Sequence, residues 1–134
     1  MATKKRNNSL SKELMGKIKS ISSGVFSLNK NESIFNEGDH TDYIYFIENG
    51  DIVLKKNKDD SKISFLELLQ GELIGIDCVY NDGYCNYSAT ATSTTEGVKI
   101  LISDFKKLIT EHKKASLELM RYLSSIVNSL ENNI

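Results

Sequence analysis

The hydrophobic period of this chain changes twice, and this change limits the possible folds more than any other feature. Between residues 25 and 102, apolar and polar side chains alternate, which is typical of strands that bury one face. On both sides of this stretch, apolar residues recur every three or four positions, as they do on one face of a helix. The sequence therefore predicts a mainly β fold with flanking helices.

Polar turns divide the alternating stretch into short strands. Five segments have the composition of turns, namely 29–31, 37–39, 48–51, 58–61 and 81–83. They predict a meander of antiparallel strands, with enough strands to close a small sandwich or barrel. Asn49 and Gly50 tolerate a positive φ between the apolar segments 43–47 and 52–54, so we expect a tight hairpin there. Further strands are expected over 63–69, 87–92 and 97–102.

The two ends of the chain are predicted to be helical, apart from a short tail. Residues 1–9 are polar and basic, so we expect a disordered tail there. Leucines and isoleucines at helical spacing predict an amphipathic helix over 10–21. Ser103 or Asp104 is expected to cap a helix that ends at a polar break, and a long C-terminal helix is expected to follow over 115–134.

The long C-terminal helix carries an apolar stripe that is wide enough for two contacts. Its residues recur at intervals of three, four and seven, namely Leu119, Met120, Leu123, Ile126, Val127 and Leu130. The same residues can also pack entirely on the sheet of their own domain. Because the stripe is wide, we expect one flank to meet the sheet and the other to form the seam of a homodimer.

Composition excludes several classes of protein. A chain of 134 residues is long enough for one domain with a core. Its net charge of -1 supplies no basic field for DNA or an anionic membrane. No apolar run approaches the roughly 20 residues that span a bilayer, and the start of the chain lacks the apolar core of a signal peptide. We therefore expect a cytoplasmic protein without a membrane partner.

Two cysteines, Cys78 and Cys85, are spaced neither as a zinc knuckle nor as a CxxC redox pair. Cys78 lies in an apolar context that favours an inert buried thiol, whereas the loop around Cys85 can expose it. For both cysteines we favour the interpretation as an inert thiol. We expect no metal site and no cofactor.

Residues 71–93, here called the cassette, have the outline of a phosphate-binding site. Gly71 and Gly75 form a hinged turn that is followed by a brief apolar helix, a polar loop over 81–83 and an alternating strand. Glycines let backbone N–H groups face a bound anion. The arginine that usually pairs with phosphate is missing, since the chain contains only Arg6 and Arg121.

The order of these elements resembles the sensor domain of the Crp/Fnr regulators, which is built on the cyclic-nucleotide-binding fold. The resemblance is carried by IFNEGDHTDYIYFIENGDIVLKK, GELIGID, YSATA, and VKILISDFKKLITEH followed by LELMRYLSSI. It implies a double-stranded β-helix, or jelly roll, within a sensor domain over 10–114, followed by the long helix over 115–134. The sequence of the cassette is more similar to that of the Fnr-type branch, whose members sense signals other than cyclic nucleotides.

The resemblance also implies which residues would hold a cyclic nucleotide. In members that bind one, a glutamate in the cassette holds the ribose hydroxyl, and an arginine just before the next strand holds the cyclic phosphate. Alignment of the glycines puts Ile76 and Asn86 at these two positions, so both polar anchors are replaced. A cyclic phosphate left unpaired in a desolvated pocket costs about several kcal/mol, which disfavours the usual mode of binding.

The number of cysteines and histidines limits which cofactors of the family, an iron–sulfur cluster or haem, the chain can bind. Two cysteines cannot supply the four ligands of an iron–sulfur cluster. Haem stays open in principle, with His40 and His112 as the imidazole ligands, although polar sequence around each favours a surface histidine.

The resemblance implies an effector-sensing and dimerisation domain of a Crp/Fnr-like transcription regulator, which we expect not to respond to cyclic AMP. The chain stops within or just beyond the long helix, so we expect a fragment that lacks the helix-turn-helix domain by which such a regulator would read DNA. The expected pocket for an unknown small-molecule effector is formed by Gly71, Glu72, Gly75, Ile76, Cys85, Asn86, Tyr87 and Ser88. The long helix is expected to face it with Ser125, Asn128, Asn132 and Asn133.

Two alternatives remain open. Lys62 or Lys99 can replace the arginine, which would give a cyclic-nucleotide module with atypical phosphate contacts. Alternatively, Ile76, Tyr84 and Tyr87 fill the ligand space, which would leave a stand-alone interaction domain without a ligand. Catalysis is not expected, because the cassette offers neither an activated nucleophile nor a convincing pair of carboxylates.

Overall fold

The computed structural model describes residues 10–132, without the side chains of Leu130 and Asn132. The predicted tail over 1–9 and the predicted pocket residue Asn133 lie outside the described residues. Within this range the elements are α1 Lys12–Ser20, β1 Gly24–Leu28, β2 Ser33–Phe35, β3 Tyr43–Asn49, β4 Ile52–Lys58, β5 Ser61–Leu68, β6 Leu73–Ile74, a 3-10 helix Ile76–Tyr80, β7 Ser88–Ala91, β8 Thr95–Leu101, α2 Ile102–Glu111 and α3 Lys113–Asn132.

The strands form two four-stranded sheets, in the orders β1-β8-β3-β6 and β2-β7-β4-β5. All pairs between these strands are antiparallel. The buried side chains of both sheets share one core with the apolar faces of the helices. This is the jelly roll that the resemblance implied, with the expected long C-terminal helix.

The predicted hairpin at Asn49 and Gly50 is wrong. β3 pairs with β6 and β8, whereas β4 pairs with β5 and β7, so the turn carries the chain from one sheet to the other. Gly50 has the expected positive φ of 107°. A Cβ at this position would lie 2.6 Å from the Cα of Thr95, so the close approach of another strand also requires glycine.

The predicted meander is wrong for the same reason. Among the described strands, β4 and β5 form the one pair that is consecutive along the chain. Asp59 and Asp60 connect them with φ values of 49° and 65°, which is the conformation of a type I′ hairpin turn. The other pairs join distant segments, such as β1 with β8, and local turn signals do not reveal these partners.

The predicted N-terminal helix is present as α1, and Ser11 caps it by accepting a hydrogen bond of 3.2 Å from the Leu14 N–H. The Ser11 hydroxyl also donates to Glu118 of α3 at 2.8 Å, which ties the two helices together.

The predicted cap of α2 by Ser103 or Asp104 is wrong. β8 runs directly into α2 at Leu101, where no side-chain cap bond forms, and both residues lie in the first turn. α3 begins at Lys113 rather than at Ala115.

Candidate functional site

The cassette has the predicted order of elements. Gly71 and Gly75 flank the short strand β6 with φ values of 89° and 91°, in the left-handed region that glycine adopts most readily. Gly75 leads directly into the 3-10 helix, whose residues 76–79 are buried. The loop over 81–83 reverses the chain, and β7 then returns through the second sheet.

Asp77 is the buried centre of the cassette, with 8% of its surface exposed. Its carboxylate accepts one hydrogen bond from the Tyr87 hydroxyl and another, of 3.1 Å, from the Asn86 side-chain amide. Burial raises the pKa of Asp77, and the hydrogen bonds from Tyr87 and Asn86 offset part of this rise. Asn86, at the position expected for the arginine, thus binds a carboxylate of its own chain.

Tyr87 fills the interior beside this carboxylate. Its ring centroid lies 5.9 Å from that of Phe35 and 5.7 Å from that of Phe65. Burial, followed by the negative charge of Asp77, raises the pKa of Tyr87 well above its ordinary value, so the hydroxyl remains a donor. Ile76 is also buried. Tyr84 is 54% exposed, so the prediction that it helps to fill the ligand space is wrong.

A lysine does lie near Asn86, but it is Lys56 of β4. Its Nζ donates to the Asn86 carbonyl at 2.9 Å and is 3.4 Å from the Glu37 carboxylate. Lys99 instead lies over the Tyr43 ring, 4.6 Å from its centroid, in the other sheet, and Lys62 is exposed on β5. Sequence reasoning missed Lys56 because its proximity arises from the pairing of β4 with β7, which no local motif indicates.

Glu72 connects the cassette to α3. Its carboxylate accepts the Leu69 N–H at 2.9 Å and lies 3.2 Å from the Tyr122 hydroxyl. The same hydroxyl accepts the Leu73 N–H at 3.1 Å. Tyr122 therefore holds β6 between the two glycine hinges. Its signal in the sequence is a tyrosine within the buried stripe of α3, where a polar tip needs a partner.

The structure describes the side chains of two of the four α3 residues that were predicted to face the pocket. Asn128 is exposed, and the hydroxyl of Ser125 donates to the Tyr122 carbonyl of its own helix at 2.7 Å. The side chain of Asn132 and all of Asn133 lie outside the described residues. Tyr122 of α3 does form a hydrogen bond with the cassette, at Leu73.

The predicted dimer seam divides into two flanks. Leu119 and Ile126 are buried in the core, with 1% and 2% exposure, so their assignment to a seam is wrong. Met120 is 57% exposed, and Leu123 and Val127 are half-buried. These three residues, spaced by three and four positions, remain the predicted seam. The side chain of Leu130 lies outside the described residues.

The remaining predicted pocket residues are also engaged within the chain. The Ser88 hydroxyl accepts the Glu37 N–H at 3.0 Å. Cys85 is 3% exposed, so it is buried like Cys78 and only the less favoured alternative of an exposed thiol is wrong, and its Sγ lies 3.7 Å from that of Cys78. The structure thus brings the cassette residues together, but it joins them to each other and to the core.

Three cavities lie on the described surface, and the first of them is lined in part by the predicted pocket residues Gly71 and Glu72. The first, of about 480 Å³, is lined by α1, the end of β3 and the turn at Gly71 and Glu72. The second, of about 250 Å³, lies between α1 and the start of α3, and the third, of about 460 Å³, lies beside His40 and the start of α2. Gly75, Ile76 and the predicted residues over 85–88 line none of these three.

Within residues 10–132, no group of three His, Cys, Asp or Glu side chains is placed to hold a metal ion. His40 and His112 are both exposed, and Nε2 of His40 lies 3.0 Å from the Asp82 carbonyl. None of the helices described here is both long and apolar enough to cross a membrane.

Comparison with known proteins places this geometry in a family. The sequence profile of the cyclic nucleotide-binding domain matches residues 25–112. The catabolite activator protein of Thermus thermophilus is similar in structure, with a TM-score of 0.77 and 21% identity over 91% of this chain and 57% of that chain. FixK2 from Bradyrhizobium japonicum has a TM-score of 0.69 and 19% identity over 81% of this chain and 54% of that chain.

A third similar structure is the cAMP-bound form of the EAL enzyme Bd1971. It has a TM-score of 0.64 and 24% identity, over 81% of this chain and 29% of that chain. No curated protein sequence matches the chain significantly. The chain spans little more than half the length of the Thermus and Bradyrhizobium proteins. The profile match over residues 25–112 shows that the chain belongs to the cyclic nucleotide-binding domain family, and its fold is that of the sensor domains of Crp/Fnr-type regulators.

Proposed function

We propose that this chain is the regulatory domain of a Crp/Fnr-like transcription regulator, that it dimerises through α3 and that it does not respond to cyclic AMP. DNA would be read by a separate part of the regulator, which would act in the cytoplasm. The domain would then transmit a signal, or hold a dimer together, without a cyclic nucleotide. The resemblance of the cassette to the Fnr-type branch supports a signal other than a cyclic nucleotide.

The observation that carries this proposal is the buried carboxylate of Asp77 and its two donors. Asn86 stands at the position expected for the family's phosphate-binding arginine, and both Asn86 and Tyr87 donate to Asp77. A cyclic phosphate would therefore meet an acceptor in place of a guanidinium. The charge-assisted hydrogen bonds by which an arginine holds a phosphate are then lost, and such bonds are about twice as strong as those between neutral groups.

The proposed dimer rests on the exposed flank of α3. Met120, Leu123 and Val127 follow the spacing of a coiled-coil seam, and Leu119 and Ile126 already hold the opposite flank against the core. A large exposed methionine on such a stripe is typical of a helix that packs against a second helix. Because a C2 interface uses the same patch twice, one stripe can serve both subunits.

Restoring the missing anchors tests the nucleotide part of the proposal. The melting temperature of the unaltered chain should not change with about 1 mM cAMP or cGMP, whereas a ligand at 100 times its Kd adds about 2.7 kcal/mol of stability. The double variant Ile76→Glu and Asn86→Arg should gain a shift with cAMP. The single variant Asn86→Arg controls for the added charge alone. A clear shift in the unaltered chain would contradict the proposal.

The atypical cyclic-nucleotide module is kept as a second candidate because of Lys56. Its ammonium lies beside the Asn86 carbonyl and can hold a phosphate as a point charge if Glu37 releases it. This candidate predicts that cAMP raises the melting temperature of the unaltered chain and that Lys56→Ala abolishes the effect.

A further inference from the structure

The cassette brings its two thiols into contact. Cys78 of the 3-10 helix and Cys85 of the segment before β7 are both free and buried, and their Sγ atoms lie 3.7 Å apart. A disulfide requires about 2.05 Å between sulfurs. The two atoms therefore need to approach by less than about 2 Å, a movement that side-chain rotation and a small loop adjustment can supply.

The backbone holds this juxtaposition. The Cys78 carbonyl accepts the Gly83 N–H at 2.8 Å, which closes the turn between the two cysteines. Asp82 and Gly83 have φ values of 53° and 84°, so the chain reverses within a few residues. Cys85 is anchored on its other side, since its N–H donates to the Asp39 carbonyl at 2.8 Å. The contact between the thiols is therefore built into the turn.

We propose that Cys78 and Cys85 form a reversible oxidation site, at which a peroxide converts the two thiols into an intramolecular disulfide. The hydrogen bond between them, from the Cys78 thiol to the Cys85 sulfur, gives the two residues different roles. Cys85 is the attacking residue, because a thiolate there accepts the Cys78 S–H. Cys78 is the resolving residue. The hydrogen bond to Cys85, followed by burial, raises the pKa of Cys78, which keeps Cys78 in the thiol form until it attacks the oxidised Cys85.

The chemistry proceeds in two steps that consume one peroxide. The Cys85 thiolate attacks hydrogen peroxide, so that an S–O bond forms, the O–O bond breaks, and hydroxide leaves and takes up the proton that Cys85 had released. The Cys78 sulfur then attacks the sulfenic acid of Cys85. The S–S bond forms, the S–O bond breaks, and the hydroxyl leaves as water with the proton of Cys78. Two thiols and one peroxide thus give one disulfide and two waters.

Access to the thiols requires local opening of the turn. Asn81, Asp82 and Tyr84 are exposed around it, whereas Cys85 is 3% exposed and Cys78 is 0% exposed. Short, exposed turns open at a lower free energy than strands and core helices. Oxidation should therefore be slower than that of an exposed thiol. The 3-10 helix packs against α3, so the disulfide would fix an element that contacts the proposed dimer helix. This last consequence rests on the proposed function, whereas disulfide formation does not.

Intact mass spectrometry of the folded full chain tests the site. After incubation with hydrogen peroxide, the mass should fall by about 2 Da, and neither cysteine should react with iodoacetamide after denaturation. Dithiothreitol should restore the mass and both alkylations. The oxidised chain should melt about 5 °C higher, because a short loop is closed covalently.

Cys78→Ser and Cys85→Ser are the matched controls, and neither should show the loss of about 2 Da. The proposal would be overturned if both thiols of the unaltered chain remained alkylatable under conditions that fully oxidise free N-acetylcysteine. It would also be overturned if the cysteines paired only between chains. Binding of cAMP would contradict the proposed function without affecting either result.

Discussion

The Asp77 carboxylate lies buried between the Tyr87 hydroxyl and the Asn86 amide, at the centre of the cassette. The loss of the two polar anchors stays a prediction from the sequence, in which the glycines of the motif put Ile76 and Asn86 at their positions. The sequence did not allow prediction of what replaces them. The partners of Asp77 come from the far side of the polar loop, and a carboxylate in a short helix is ordinarily solvated.

Stability should depend on pH through Asp77. Since burial raises the pKa of this carboxyl in the folded chain, the folded state binds its proton more tightly than the unfolded state does. This contribution is fully present below about pH 3.9, the ordinary pKa of aspartate, and it is lost as the pH rises through the folded-state pKa. Each pH unit between the two pKa values corresponds to about 1.4 kcal/mol.

Asp77→Asn should remove this pH dependence while keeping an acceptor for Tyr87. Urea unfolding of both proteins at a series of pH values measures the difference. The unaltered chain should lose stability relative to the variant as the pH rises above about 4. A difference that stays constant over this range would show that Asp77 has no raised pKa.

The elements of the fold were predictable to different degrees. Helices α1 and α3 follow from apolar spacing, which is a local property of the sequence. The pairing of β3 with β8 was not predictable in this way, and the expected hairpin at Asn49 and Gly50 is a crossing between sheets. Residues that favour a turn indicate only that the chain reverses. Which strands pair after the reversal depends on strands that are distant in the sequence.

Tyr122 should stabilise the contact between α3 and β6. Tyr122→Phe removes the hydroxyl that accepts the Leu73 N–H and lies beside Glu72. Leaving these buried groups without that partner should lower the free energy of unfolding by about 1 to 3 kcal/mol. Tyr80→Phe is the matched control, because Tyr80 is 55% exposed and its hydroxyl can bond to water. Urea unfolding measures both, and equal, small effects would exclude a structural role for the Tyr122 hydroxyl.

The outer flank of α3 should mediate dimerisation. Met120→Lys places a charge on the exposed apolar stripe and should shift the chain towards monomer by about 10-fold or more in the dimer dissociation constant. Asn128→Lys adds the same charge at an exposed polar position of the same helix and should leave the constant unchanged. Sedimentation equilibrium gives both values. The seam would be refuted if the unaltered chain were monomeric at about 100 µM.

At the scale of the whole molecule, the jelly roll and the long helix were predictable from the resemblance, and the structure confirms both. The pocket was less predictable than the fold. The motif indicates which residues are near one another, but it does not indicate that Asn86 and Tyr87 form hydrogen bonds with Asp77. Burial and long-range pairing decide whether a motif leaves a cavity, and neither can be read from the motif alone.

The cassette, residues 71–93, contains no arginine for a cyclic phosphate, and Asn86 and Tyr87 donate to Asp77 of the same segment. Calorimetric titration of the unaltered chain with cAMP and with cGMP tests most directly the central proposal that it does not bind a cyclic nucleotide. We predict no heat beyond that of dilution up to about 1 mM nucleotide, since the cassette lacks a guanidinium and the Asn86 amide is bonded to Asp77. Saturable binding with a micromolar Kd for either nucleotide would contradict the account.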